Sequence, residues 1–521
     1  MLKLSVKIFL FLIASFAFNG VAWANYSSEE FLNEFTTIIN DAGGEFVFKK
    51  EKEGELKERI SPAQVNFNID RIFDTDTDLH ISINYNHFII EQISDKKIGL
   101  ELSPFSSIIL KSEKNFSDDN IDLLIELKQT PATIFLERNG DVRNFFVQQA
   151  FLNQEISRVF LNGSEIPVGF EIKLKEYFSN LNINNEPQKN LTTYEGKSEI
   201  QDLSIFSEFI DSENGFGTQI TRVNNENIRS NFNLTLPDLA LILHSIENGI
   251  NPLDKGLSLG VFYERSAGFS ESIVSNQAFN ILTRTEDKGA QGGFGFSKNG
   301  ISLLGRILDF RLSFLSGELS NLPLKAAINE LSIEMEFPFL NKKNGSPFNF
   351  YINVDDLSLS ESIWDLIGVG NDFSNDSFTF RLDTSGDMNW LLNLMDLSEL
   401  ERFSDNNPVE VNNLNINEFK ISLGEVEINA SGSFVFLNKE FKALSGLGFP
   451  HPVGEVKVEL KGAYSFVDNL MSNDLIDKQV GIFILGLITV YTTAGHEDDN
   501  LFSVINITES GEILINNKSL Q

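Results

Sequence analysis

Alternation with a period of two runs through most of this 521-residue chain, and it constrains the fold more than any other feature. Val65, Phe67 and Ile69 alternate with Asn66, Asn68 and Asp70, and Leu79, Ile81 and Ile83 alternate with His80, Ser82 and Asn84. Successive side chains of an extended strand point to opposite faces, so each run has an apolar face and a polar face, as a half-buried antiparallel strand does. Ile121 to Leu127, Ala132 to Glu137 and Asn231 to Leu236 repeat the pattern, with Asn, Asp, Gly and Ser at the gaps. Glu334 to Phe337, Asn349 to Leu359, Phe378 to Leu382 and Val411 to Leu423 carry it through the C-terminal half.

Helical spacing interrupts the pattern in few places. Ser27 and Glu30 have the separation of a capping box, and Phe31, Phe35, Ile38 and Ile39 follow at helical spacing, which predicts a helix over 28–41 ending at Gly43-Gly44. Further helices are expected over 237–248, with Pro237 in the first turn, over 361–367, over 387–402 and over 463–478. The apolar stretch Val480 to Tyr491 is too short to span a bilayer and reads as a buried helix or strand. Together these elements describe an α+β protein, β-dominated, with an extended twisted antiparallel sheet and a few packed helices.

The first 24 residues have the layout of a secretory signal peptide: Lys3 and Lys7, an apolar run from Ile8 to Phe18, then Ala22 and Ala24 around Trp23. Cleavage after Ala24 predicts a secreted, periplasmic protein with Asn25 at its mature N-terminus. The chain contains no Cys, so it has neither a lipoprotein acceptor thiol nor a disulfide to form in an oxidising compartment. After the signal peptide at 1–24, the polar segment Asn184 to Thr193 divides an N-terminal β-rich region, 25–185, from a C-terminal one, 186–521. The net charge of -33 argues against a nucleic-acid partner, because phosphate backbones are bound by basic patches.

Motifs of catalysis and metal binding are fragmentary. Asp74, Asp76 and Asp78 have the spacing that opens a calcium loop, but Leu79 stands where such a loop needs Gly and Tyr85 where it needs Glu. None of the five histidines, at 80, 87, 244, 451 and 496, forms a close ligand pair, and one continuous strand would put His80 and His87 on opposite faces. Ser94 to Lys97 fits S-x-x-K without its companion motifs, and Gly292-Gly293-Phe294-Gly295 lacks a Walker lysine and reads as a flexible hairpin. No catalytic residue, no metal ligand and no cofactor is assigned, and the binding residues stay unknown at this stage. The 47 Phe, against 3 Trp and 8 Tyr, supply large apolar surface without polar handles; most are expected in the core, and the remainder could line a groove for acyl chains.

In the C-terminal half three strands run into glycine: Arg381 to Gly386, Ile428 to Gly432 and Val458 to Gly462. They suggest neighbouring strands of one sheet that bend at matching points. Val354 to Leu366 with Trp364, Phe378 to Gly386, Pro450 to Gly462, and a closing hairpin over Ile507 to Asn516 that turns at Gly511 resemble an uncharacterised bacterial envelope family, domain of unknown function 2125. The resemblance covers about the last 200 residues and implies a secreted envelope protein of Gram-negative bacteria. It brings no activity and no site residue. The expectation is a non-enzymatic periplasmic protein binding a hydrophobic ligand, such as a lipid, or an envelope protein through a long sheet. A scaffolding protein without a small ligand is the alternative, and a hydrolase of envelope polymers comes third.

Overall fold

The computed structural model describes residues 27–520 except 42–43, 69–78, 113–120, 141, 212–216, 239–240, 243–244, 246–247, 249–250, 277–279, 317–322, 341–344, 367–375, 394–408, 441–449 and 496–498. Strand makes up 73% and helix 13% of it, a β-dominated α+β protein built on antiparallel sheet. The expected signal peptide at 1–24, Asp74, Asp76, Asp78, His244 and His496 lie outside the described residues.

Helix α1 (Ser28–Asp41) is followed by β1 (Gly44–Lys52), β2 (Lys57–Asn68), β3 (Leu79–Tyr85), β4 (Phe88–Ser94), β5 (Lys97–Leu102), β6 (Phe105–Ser112) and β7 (Ile121–Gln129). Next come β8 (Thr133–Asn139), β9 (Val142–Leu161), β10 (Ser164–Ile166), β11 (Val168–Glu186), β12 (Leu191–Asp211), β13 (Gly217–Pro237), β14 (Ser258–Arg265) and β15 (Ala267–Ser275). Then follow β16 (Asn280–Asp287), β17 (Gly289–Ser297), β18 (Gly300–Ser316), β19 (Leu324–Pro338), β20 (Ser346–Leu359), α2 (Glu361–Leu366), β21 (Phe378–Trp390), β22 (Val409–Leu423) and β23 (Val426–Glu440). The chain closes with β24 (Pro450–Lys461), α3 (Ala463–Ser472), α4 (Lys478–Tyr491), β25 (Thr493–Ala494), β26 (Asn500–Ile507), β27 (Ile513–Ile515) and β28 (Lys518–Ser519).

Two compact units result: 1–235 with 264–283, and 236–263 with 284–521. Asn184 to Thr193, the polar segment between the two β-rich regions, closes the hairpin of β11 and β12, whose arms pair from Val168↔Phe209 to Glu186↔Leu191 within the first unit.

The first unit has a conventional core. The capping box starts α1 as its spacing predicts: Ser27 N donates to Glu30 Oε2 at 2.8 Å and Glu30 N donates to Ser27 Oγ at 3.2 Å. Phe31, Leu32 and Ile39 of the helix then bury against Phe46, Ile60, Val65, Phe67, Phe88, Ile90 and Ile98. One apolar helix face and one apolar sheet face thereby exclude water from each other.

The second unit is a meander in which each strand from β17 to β24 pairs with the next, and β26 and β27 complete the order. The closing hairpin turns as expected, with Gly511 at φ 89° and Gly511 N donating to Thr508 O. The helix expected over 237–248 is present where it is described, at Leu241, Ile242 and Ser245, with Ile242 N donating to Asp238 O at 3.0 Å; only its start is corrected, since Pro237 ends strand β13. Two further helical expectations need correction. Of the helix expected over 387–402, residues 387–390 instead extend β21, because pairing with β22 overrides their local preference, and 394–402 lie outside the described residues. The helix expected over 463–478 stops at Ser472, where Asp474 takes a left-handed conformation, φ 56°, and a second helix begins at Lys478.

Candidate functional site

Residues directly opposite each other in an antiparallel pair share a face, so the register of the second unit defines rows of neighbouring side chains across the sheet. One row runs Phe294, Leu303, Met335, Phe350 and Thr384, and continues through Ile416, Gly432, Val456, Ile505 and Ile515. A second runs Ile307, Leu331, Val354 and Phe380, then Ile421, Ile428, Leu460 and Leu501. Between them Ile333, Ile352, Leu382, Phe419, Ala430 and Val458 form a third. At strand spacing the first row is roughly 40 Å long.

No residue of the first row is buried, and Phe294 is 40% exposed; in the second row Leu331 is 38% exposed and Leu501, at its end, is buried. Helix α2 touches β19 and α3 touches β23. The face is thus apolar without being a core. The buried phenylalanines among the described residues are Phe31, Phe46, Phe67, Phe88 and Phe348, whereas Phe105, Phe151, Phe209, Phe232, Phe294, Phe483 and Phe502 stand exposed. The expectation that most Phe fill a core is therefore corrected: among the described residues more Phe stand exposed than buried.

The opposite face is ionic. Arg306 meets Glu330 at 3.0 Å, Arg381 meets Glu418 at 3.2 Å, and Lys420 meets Glu427 at 2.8 Å across neighbouring strands. The Lys420 hydrogen bond, assisted by Asn429, holds the Glu427 carboxyl below the usual carboxylate range. For Glu330, burial pushes the carboxyl up, but the hydrogen bonds from Arg306 and Ser332 outweigh it and the net shift is downward.

Three local devices shape the apolar face. Hydrophobic alternation switches parity along β18 from Ile307 to Phe310 and Leu312, and along β20 from Val354 to Leu357 and Leu359. The switch points are Asp309 and Asp356, non-glycine residues with φ of 52° and 56°. A left-handed residue breaks the two-residue repeat once, which returns the apolar side chains to the same side. Asn329 Nδ2 steadies the crossing by donating to Asp356 Oδ2 at 2.7 Å. Gly386 is the third device: a Cβ there would lie 2.2 Å from Asn413 O and 2.8 Å from the Phe348 ring. The register slips just beyond it, between Asp387 and Met388.

Past that crossing lies a pocket of about 580 Å³, lined by Arg284, Glu286, Arg311 and Lys325 together with Leu312, Ala326 and Leu359. Arg284 Nε donates to Glu286 Oε1 at 2.9 Å, and Ser360 Oγ accepts from Lys325 N at 3.0 Å. Of its three cations, Arg284 is held by Glu286 and Arg311 meets Asp309 at 3.5 Å.

The remaining sequence candidates fall in structural roles. His80 lies in β3, and His87 lies in the turn after it, where its carbonyl accepts from Ser103 N at 3.2 Å; the strand ends at Tyr85, so no single strand carries both rings. His451 is buried, with Nε2 2.9 Å from Thr508 O, and closes the last hairpin. Ser94 Oγ accepts from Lys96 N in the β4–β5 turn. Gly292, Gly293 and Gly295 are strand residues of β17, paired with Gly305, Leu304 and Ser302, and are not in the hairpin turn. Among the described residues no group of His, Asp and Glu is arranged to hold a metal ion.

The chain matches no family profile, no curated protein and no solved structure. No helix among the described residues is long and apolar enough to cross a membrane.

Proposed function

We propose that this is a secreted periplasmic protein that binds a hydrophobic ligand, or the apolar surface of an envelope partner, through the β17–β27 sheet face. The observation that carries the reading is the row from Phe294 to Ile515, apolar in all but Thr384 and Gly432 and nowhere buried. Monomeric proteins rarely expose contiguous apolar surface beyond a few hundred Å² unless it is an interaction site.

The test is titration of the purified protein with a nonpolar fluorescent probe, alone and after Leu382→Lys or Phe350→Lys in the middle of the face. Saturable binding that either substitution abolishes supports the reading. Binding that both variants keep, or no binding by the unsubstituted chain, overturns it for small ligands and moves the role of the face to a protein partner.

A further inference from the structure

Helix α4 is the stretch whose apolarity suggested burial, and it is not buried: Ile482 is 66%, Phe483 65% and Val490 56% exposed. At 100° per residue these three side chains, with Gly486 and Leu487, share one side of the helix, while Gly481, Ile484, Leu485 and Ile488 share the other. The inner side is seated, since Gly481 is buried and a Cβ there would lie 2.2 Å from Met471 of α3. A surface helix ordinarily turns charge outward and apolar residues inward. Here the outer side is as apolar as the inner, and no charged residue occurs between Lys478 and His496.

The helix is fixed at both ends. Asp477 caps it by accepting from Gln479 N at 2.7 Å, and the Tyr491 carbonyl accepts from Ser503 Oγ and Asn516 Nδ2, both at 3.0 Å. The exposed side is thus a preformed surface. From this geometry we infer that the outer face of α4 docks on a lipid bilayer, lying in the interface with Ile482, Phe483, Leu487 and Val490 among the acyl chains.

Charge selects this occupant. A second copy would bring two bodies of charge -33 together, and that repulsion opposes self-association. A zwitterionic bilayer carries no net charge and solvates a broad apolar side without needing a complementary groove. Fourteen helical residues reach about 21 Å, short of the roughly 30 Å hydrocarbon core, so the helix lies in one interface and does not span. Asp474 and Asp477 at the tip of the α3–α4 hairpin then stay at the headgroup level. This inference does not rest on the ligand face of the sheet.

The cysteine-free chain allows a site-specific test. Phe483→Cys and, on the exposed polar side of α3, Asp468→Cys are each labelled with an environment-sensitive fluorophore in the full chain and mixed with phosphatidylcholine vesicles. A several-fold rise and blue shift are expected at position 483, quenched by lipids carrying a label in their acyl chains and retained at high salt, with little change at 468. Circular dichroism identical to that of the unsubstituted chain confirms that both variants fold. An unchanged signal at 483, an equal change at 468, or a change that follows protein concentration without lipid overturns the inference, the last in favour of a second copy.

Discussion

Truncating Leu331 separates an open apolar face from a core. Leu331 lies in the row of Ile307 and Val354, and 38% of its surface is exposed. Full burial of a leucine side chain contributes about 1.5–3 kcal/mol, and each methylene removed about 0.8 kcal/mol. Scaled by the fraction covered, Leu331→Ala should cost about 1.5 kcal/mol, with no cavity contribution because water enters the space. Ile60 in the first unit is fully buried, and Ile60→Ala adds a cavity cost, for about 4 kcal/mol in total. Urea denaturation followed by circular dichroism reads both, each variant assigned to the transition of its own unit. If Leu331→Ala costs as much as Ile60→Ala, the face is covered by another layer and the reasoning fails.

Three further outcomes follow from other parts of the molecule. Burial pushes the Tyr194 phenol up to about 12, partly offset by the charge of Arg143, so the folded state binds this proton more tightly than an unfolded tyrosine near 10. About 3 kcal/mol of stability present below pH 10 should vanish as pH rises through 12, and Tyr194→Phe should remove that loss in alkaline melts. The depressed Glu427 carboxyl contributes stability that is complete above an unfolded value near 4.3 and is lost as pH falls through its lower folded value; Glu427→Gln should flatten the acid limb of the second unit's denaturation profile. Asp499 accepts from Tyr464 N at 3.0 Å and from Ser465 N at 2.9 Å, capping α3 in place of the side chain that Gly462 lacks, so Asp499→Ala should cost about 1 kcal/mol in urea melts.

What could be read from the chain was what is local. The capping box of Ser27 and Glu30, the strands with strict alternation and the Gly511 turn all depend on residues within a few positions, and each stands where its pattern placed it. The candidate face was hidden because it exists only across strands: Leu303, Met335 and Phe350 are neighbours through register, and no spacing along the chain announces it. Parity reversals at Asp309 and Asp356 obscured it further, since they make a continuous face look like two unrelated patterns. The cap of α3 comes from Asp499, 34 residues beyond Ser465, which no local rule finds. Helix α4 was legible as apolar but not as exposed, because apolarity measures the cost of meeting water and does not name what keeps water away.

Native mass spectrometry with lipid extraction, on the protein purified without detergent from its own source, reads directly whether the sheet face carries a ligand. A hydrophobic molecule is expected to co-purify at near-stoichiometric amount and to be lost after Leu382→Lys. A clean mass of the bare chain from the unsubstituted protein, or a lipid load unchanged by that substitution, would contradict it.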